Sequence, residues 1–308
     1  MKTYTNEQKI FRAGTLEMGG QLGERPTVLI GSLFYEGHKA VQDAKTGEFD
    51  HQAVEGDIQL VLEWSDKTGL PAMFDIVGSY APALERYVEF VSGQCQTPFL
   101  VDGTGDACRV QTMRRASEWG LLDRAILNSI EIATSDATLA EIRDIGVKHS
   151  VLLAFESRHM MPEKKVELLE GVPGEYKGLL QKAEEAGIES IIIDAAVLDV
   201  PSLGFCARAQ EIIKETYGLP VGCAPPNAIF DWEKGAAVMG RDGQKLANAA
   251  ACAFLRDHGA DFILFGPCNK AGQVFPEVAL VDSVLEYYQR RVNKVAIQPG
   301  PLSKLGGS

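Results

Sequence analysis

Four apolar runs in this chain end on a carboxylate or an amide. They are Met73-Phe74-Asp75, Leu100-Val101-Asp102, Ile126-Leu127-Asn128 and Ser190-Ile191-Ile192-Ile193-Asp194. A carboxylate at the end of a strand covered on both faces is costly unless it is hydrogen-bonded or opens into a cavity. Four strand ends with the same kind of polar group point to one shared site. Asn227, in Ala224-Pro225-Pro226-Asn227-Ala228, is a fifth candidate, although two prolines also suit a plain turn residue. Glu36, His38, Glu131, Glu156, Arg158, Asn269 and Lys270 follow other runs and fall at the same end. Acids and amides outnumber bases in this set. No glycine-rich loop followed by Lys and no Arg cluster is present, which argues against a phosphate substrate. Such a mouth suits a flat ligand rich in N–H donors, because a carboxylate accepts two parallel bonds from an amidine-like edge.

Each of these residues also has a plainer use. An Asp at a strand end can cap a helix or join a salt bridge. Asn128 is harder to explain as a cap, since the next helix signal comes near Ser135. His38, Glu156 and His159 match no common metal-ligand spacing, so no metal is expected. Lys39 and Lys270 lie in polar loops and read as solvated rather than as Schiff-base lysines. Arg109, Arg114 and Arg115, on a helix expected over 106–119, read as a solvated face.

The elements that would position these groups recur along the chain. Helical segments close on Gly69, Gly93, Gly120, Gly146, Gly187, Gly218 and Gly259, and an apolar run follows each within a few residues. Glycine past a helix end supplies the left-handed conformation that turns the chain toward a strand. With the run 27–35, the runs 71–77, 98–102, 124–130, 150–155, 190–197, 220–224 and 261–265 make eight strands. A helix is expected over 175–186, and the last over 279–292. Eight βα units with short joints predict a single α/β domain, a (β/α)8 TIM barrel over 27–295 with its site at the C-terminal strand ends. Residues 1–26 read as an N-terminal hairpin plugging the barrel floor, and 296–308 as a flexible surface tail. No Gly-x-Gly-x-x-Gly follows the first strand, which removes the main reason to expect a dinucleotide fold.

Composition agrees. The 308 residues exceed the ~250 of a typical barrel, and 45% apolar content can fill its core. A net charge of −12 argues against a nucleic-acid or anionic-membrane partner. The six cysteines show no paired spacing and read as reduced, mostly buried thiols. The first residues have no apolar signal core, and no stretch approaches a membrane span. A soluble, cytoplasmic protein is expected.

A longer stretch, Gly19-Gly20-Gln21-Leu22-Gly23-Glu24-Arg25-Pro26-Thr27-Val28-Leu29-Ile30-Gly31-Ser32-Leu33-Phe34-Tyr35, resembles the opening of the MtrH component of tetrahydromethanopterin S-methyltransferase. His38-Lys39, Gly47-Glu48-Phe49-Asp50, Lys67-Thr68-Gly69-Leu70-Pro71, Asp75-Ile76-Val77-Gly78, Val101-Asp102-Gly103-Thr104 and Leu127-Asn128-Ser129-Ile130 continue the match over nearly the whole chain. Within that family the sequence looks most like soluble bacterial members. These move a methyl group from a methylated corrinoid protein to N5 of tetrahydrofolate in demethylation pathways such as that of glycine betaine. The resemblance implies a pterin held by Asp75, Asp102 and Asp194 at its pyrimidine edge, with Asn128 near N5 as the catalytic residue. In relatives a second Asn lies in a Ser-Asn-Val-Ser type sequence, so the register of Asn227 departs from the pattern. It also implies methylcobalamin carried by a separate corrinoid protein, since no Asp-x-His-x-x-Gly module occurs here, and a homodimer. The loops 36–50, 156–174 and 266–278 are candidate contacts for that partner. Alternatives are a tetrahydromethanopterin-using subunit of a larger complex, a dihydropteroate-synthase-like barrel, a metal- or lysine-dependent aldolase or hydrolase, and a non-catalytic scaffold.

Overall fold

The computed structural model describes residues 2–157 and 159–306. The chain opens with a hairpin, β1 (Ile10–Ala13) and β2 (Leu16–Gly19), then β3 (Val28–Leu33). A second hairpin, β4 (Val41–Asp43) and β5 (Glu48–Phe49), precedes α1 (His51–Thr68). β6 (Ala72–Gly78), α2 (Ala81–Gln94), β7 (Phe99–Gly103), α3 (Asp106–Glu118), β8 (Ala125–Ile130), α4 (Asp136–Ile145) and β9 (His149–Leu153) follow in strict alternation. Next come α5 (Pro162–Glu170), a short hairpin of β10 (Gly171–Val172) and β11 (Tyr176–Lys177), and α6 (Leu179–Glu185). β12 (Ser190–Asp194), α7 (Ser202–Tyr217), β13 (Val221–Cys223), α8 (Pro226–Ile229), α9 (Glu233–Asp257), β14 (Phe262–Pro267), α10 (Ala271–Tyr288) and α11 (Pro301–Leu305) complete the chain. β3, β6, β7, β8, β9, β12, β13 and β14 form a closed parallel barrel, the expected TIM architecture.

Two apolar layers hold it. The larger lies between the sheet and the helices, where the buried stripes of α1, α2 and α7 meet the outward strand residues. The smaller fills the barrel itself: Val28, Ile30, Met73, Leu100, Ile126 and Ile192 point inward beneath the strand ends. Phe11, Ala13, Leu16 and Met18 of the first hairpin join this inner layer and form its floor. Backbone bonds from Lys9 to Gly218 and from Gly14 to Asp123, both 2.7 Å, fasten the hairpin to loops that lead into strands. Gly218 ends α7 with φ 63°, and a Cβ there would lie 2.0 Å from the Glu7 carbonyl, so only glycine lets the N-terminal segment pass. Phe11 is 1% exposed. Phe11→Ala should cost roughly 3–5 kcal/mol, read as a lower urea midpoint with an unchanged m-value.

Several boundaries differ from expectation. Gly93 lies inside α2, which ends at Cys95 in an extended conformation; Gly69 and Gly146 are left-handed caps as expected. Residues 175–177 are not helical, because Tyr176–Lys177 pair with Gly171–Val172. The last long helix starts at Ala271, eight residues before the expected 279. The expected tail instead holds α11 against α1 and α10. Pro301 is buried, the Leu302 N–H donates to Glu286 Oε2 at 2.9 Å, and Lys304 pairs with Asp66 at 3.0 Å. Cys95 is half-buried and the other five cysteines are buried and free. No helix of the described residues is long and apolar enough to cross a membrane.

Candidate active site

Parallel pairing brings the strand ends to one level. Asp75 on β6 stands opposite Ser32 on β3, and Asp102 on β7 opposite Asn128 on β8. Asp194 ends β12 beside Leu153 of β9. Together with Asn227, these residues line one cavity of about 270 Å³ above the apolar barrel filling. That volume lies just below the ~300–1,000 Å³ range of small-molecule pockets. It suits a flat ring system rather than a whole elongated cofactor.

The hydrogen bonds fix how each group is presented. Ser32 Oγ donates to Asp75 Oδ2 at 3.2 Å, and Asn128 Nδ2 donates to Asp75 Oδ1 at 3.4 Å. With its amino end committed to Asp75, Asn128 presents its amide oxygen as the atom able to accept an N–H from a ligand. The Ala196 N–H donates to Asp194 Oδ1 at 2.8 Å, which holds that carboxylate in the turn after β12. The turn is itself held by Lys165 of α5, buried, whose ammonium donates to the Ala195 and Ala196 carbonyls at 2.7 and 2.8 Å. Asn227 lies on α8 at the exposed rim.

All three carboxyls resist ionisation. Burial pushes Asp75 well above the usual carboxylate range, and the neighbouring Asp102 adds to this. Burial raises Asp102 to about 6, with the Arg109 charge opposing it. Burial raises Asp194 to about 6, while the Ala196 N–H and Lys165 act the other way. A cluster of acids with displaced protonation in a cleft marks a candidate functional site.

Arg109 corrects one expectation. It is not a solvated residue of α3 but lines the cavity at 7% exposure. It donates to Glu131 Oε1 at 2.7 Å, to Asp106 Oδ1 at 2.8 Å and to the Asn128 carbonyl at 3.4 Å. The signal is in the sequence: Arg109, Met113 and Ala116 share the i, i+4, i+7 stripe of the buried face of α3. Ser32 escapes sequence reasoning, because a lone serine at the end of an apolar run carries no distinguishing mark. Arg109→Leu removes the positive charge that opposes the rise at Asp102. The Asp102 carboxyl should then titrate higher, and the pH midpoint of ligand binding should move up, as read from binding isotherms between pH 5 and 8.

Of the other mouth candidates Glu131 lines the cavity, and the rest separate from it. His38 is buried and structural: its Nδ1 accepts from the Phe34 N–H and its Nε2 meets Asp57 Oδ2 at 3.1 Å. Glu36, Lys39 and Asn269 are exposed, and Lys270 sits over the Phe230 ring. Glu156 pairs with His159 away from the cavity wall, and Arg158 lies outside the described residues. Among the described residues no group of three or more His, Cys, Asp or Glu could hold a metal ion.

Residues 6–298 match the family described as tetrahydromethanopterin S-methyltransferase MtrH subunit. The chain belongs to that family. The corresponding MtrH protein of Methanothermobacter marburgensis is 31% identical over 309 residues, spanning 99% of this chain and 100% of the relative. That of Methanosarcina mazei is 34% identical over 300 residues, spanning 92% and 93%. Among solved structures, dihydropteroate synthase from Vibrio fischeri aligns with a TM-score of 0.60 at 14% identity, covering 90% of this chain and 98% of that one. The Xanthomonas albilineans synthase with 4-aminobenzoic acid aligns with a TM-score of 0.57 at 17% identity over the same shares. At such identities the likeness is one of fold. Membership of the MtrH family makes this protein a methyltransferase.

Proposed function

We propose that the chain moves a methyl group between a corrinoid and N5 of a tetrahydropterin. The observation that carries this reading is the ring of Asp75, Asp102 and Asp194 with Asn128 around one small cavity. A pterin presents an amino group and ring N–H donors along one edge, and a set of carboxylates can accept them in parallel. Asp102 and Asp194, ionised above about pH 6, are the natural acceptors. Asp75, held protonated to higher pH, can offer its own O–H to a ring acceptor. The Asn128 amide oxygen can take the N–H of unmethylated N5. This fixes the ring so that the N5 lone pair faces the mouth. Asn227 would contact the ligand from the rim.

When presented by a partner protein, the corrinoid supplies the cobalt-bound methyl group. This chain's own part is to orient N5 and to keep the pyrimidine edge dry. The loops 36–50, 156–174 and 266–278 are the candidate contacts for that partner. The names of the curated relatives favour tetrahydromethanopterin over tetrahydrofolate as the pterin. The ring contacts described here are common to both, so the acceptor must be chosen by groups beyond the ring. The expected setting is cytoplasmic, and the resemblance adds a homodimer, which the transfer itself does not require.

The test is anaerobic incubation with methylcobalamin and either tetrahydromethanopterin or tetrahydrofolate, following loss of the methylcobalamin spectrum and formation of the N5-methyl product. Faster turnover in one tube identifies the pterin. Silence in both, repeated with a methylated corrinoid protein, would remove the methyl-transfer reading and leave a scaffold.

A further inference from the structure

Lys165, Lys182 and Lys214 are buried among the described residues. Lys214 is neutralised by Asp261 at 2.8 Å, and Lys182 donates to the Thr134 carbonyl at the edge of its loop. Lys165 has a different setting. It shares the inward stripe of α5 with Pro162, Leu168 and Leu169, whereas its neighbour Lys164 faces out and pairs with Glu167. It is 0% exposed and forms no ion pair among the described residues. A buried ammonium held by carbonyls alone is costly, so its place needs a reason.

The reason lies in the turn it holds. No other described residue donates to the Ala195 and Ala196 carbonyls, and that turn leaves β12 directly after Asp194. Ala196 stands there at φ 49°, a left-handed conformation that a residue with a Cβ adopts only at a cost. From that position its N–H reaches back to Asp194 Oδ1. The strained φ, the two carbonyls and the N–H belong to one short unit. Without the ammonium, Ala196 would relax toward negative φ, its carbonyl would turn away, and its N–H would leave the carboxylate.

We propose that Lys165 is a positioning residue for the pterin site: from the helical layer outside the barrel it holds the Ala195–Ala196 turn and so directs the Asp194 carboxylate into the cavity. The inference rests on the reading of Asp194 as an acceptor for the pterin edge. Lys165 is not among the residues that line the cavity, so it acts only through Asp194. Its charge also opposes the effect of burial on that carboxyl. The other groups around Asp194 are Asp75, Asp102, Arg109 and Glu131 in the cavity, and the Cys206 and Cys223 thiols near Lys165.

Anaerobic titration of the full chain with tetrahydrofolate, repeated with tetrahydromethanopterin, tests the link. Lys165→Gln keeps a donor and removes the charge. It should raise Kd at pH 7 about tenfold or more, and move the pH midpoint of binding upward from about 6. In the Asp194→Asn background the same substitution should change Kd less than about threefold, because nothing is left for Lys165 to direct. If Lys165→Gln does not fold, the cycle is run with Ala196→Gly in every member, since glycine takes this φ without strain. Equal losses in both backgrounds, or an unmoved pH midpoint, would overturn the proposal and leave Lys165 a structural residue. So would wild-type affinity in Lys165→Gln when Asp194→Asn binds weakly. Unchanged affinity in Asp194→Asn, or a wild type that binds neither pterin, would overturn the reading of the site and this inference with it.

Discussion

Asp102→Asn and Asp194→Asn are each expected to weaken pterin binding by roughly 10- to 100-fold, the range of a lost charge-assisted hydrogen bond, while making the protein more stable at pH 8. The two effects have one origin. Each carboxyl titrates at about 6 in the folded chain against an ordinary value of 3.8. Between those values the folded state holds more protons than the unfolded one, so stability falls as pH rises through the window. At pH 8 the full cost is present, on the order of 3 kcal/mol for each group at 1.36 kcal/mol per unit. An Asn carries no such cost and can still accept the Ala196 N–H at position 194. Thermal midpoints should therefore exceed wild type at pH 8 and converge with it at pH 4. The combined gain should be less than the sum, because Asp194 is one of the charges that raise Asp102. For the wild type, pterin affinity should rise as pH passes through 6 and level off above 7. Midpoints below wild type at pH 8 would mean that these carboxylates are held by interactions stronger than their burial.

Asn128→Ala should lower the methyl-transfer rate by roughly 10²-fold, in the range found for removing one positioned polar group at a reacting atom. Pterin affinity should fall no more than about tenfold, since one neutral hydrogen bond is worth ~0.5–1.5 kcal/mol. The split matters more than either number. A group that orients N5 acts most strongly as the new bond forms, so kcat should drop further than binding. Rate and binding falling in equal proportion would assign Asn128 to holding the ring only. Its bond to Asp75 offers a second reading of the same variant. Loss of the Nδ2 donor removes one of the groups that favour ionised Asp75, so that carboxyl should be still harder to ionise.

Barrel strands after the first are legible in the sequence because each apolar run follows a helix end and is too short for a helix. The strand-end acids are legible because a charge at the end of a buried run needs a reason. Other features are hidden where packing overrides local preference. Gly272 and Pro276 read as helix breakers, yet α10 begins at Ala271 because Val274, Phe275 and Val278 bury one face there. Gly93 has the residue type of a cap but sits in the last turn of α2, short of its end. Arg109 reads like one of three solvent-facing arginines. Its role depends on Glu131 and Asp106, and only the folded chain brings Glu131 to α3. Pro301 marks the start of a helix that no periodic pattern reveals over five residues.

The floor formed by Phe11, Ala13, Leu16 and Met18 closes the lower end of the barrel among the described residues and leaves the strand-end mouth as its door. Whatever enters the cavity must leave by the way it came. If the methyl carrier docks over that same opening, small ligand and protein partner cannot come and go independently. The pterin has to be seated before the partner arrives, and the product stays sealed in until the partner departs. Catalysis on such a scaffold is a compulsory queue, and the lifetime of the protein–protein encounter sets the upper limit on turnover.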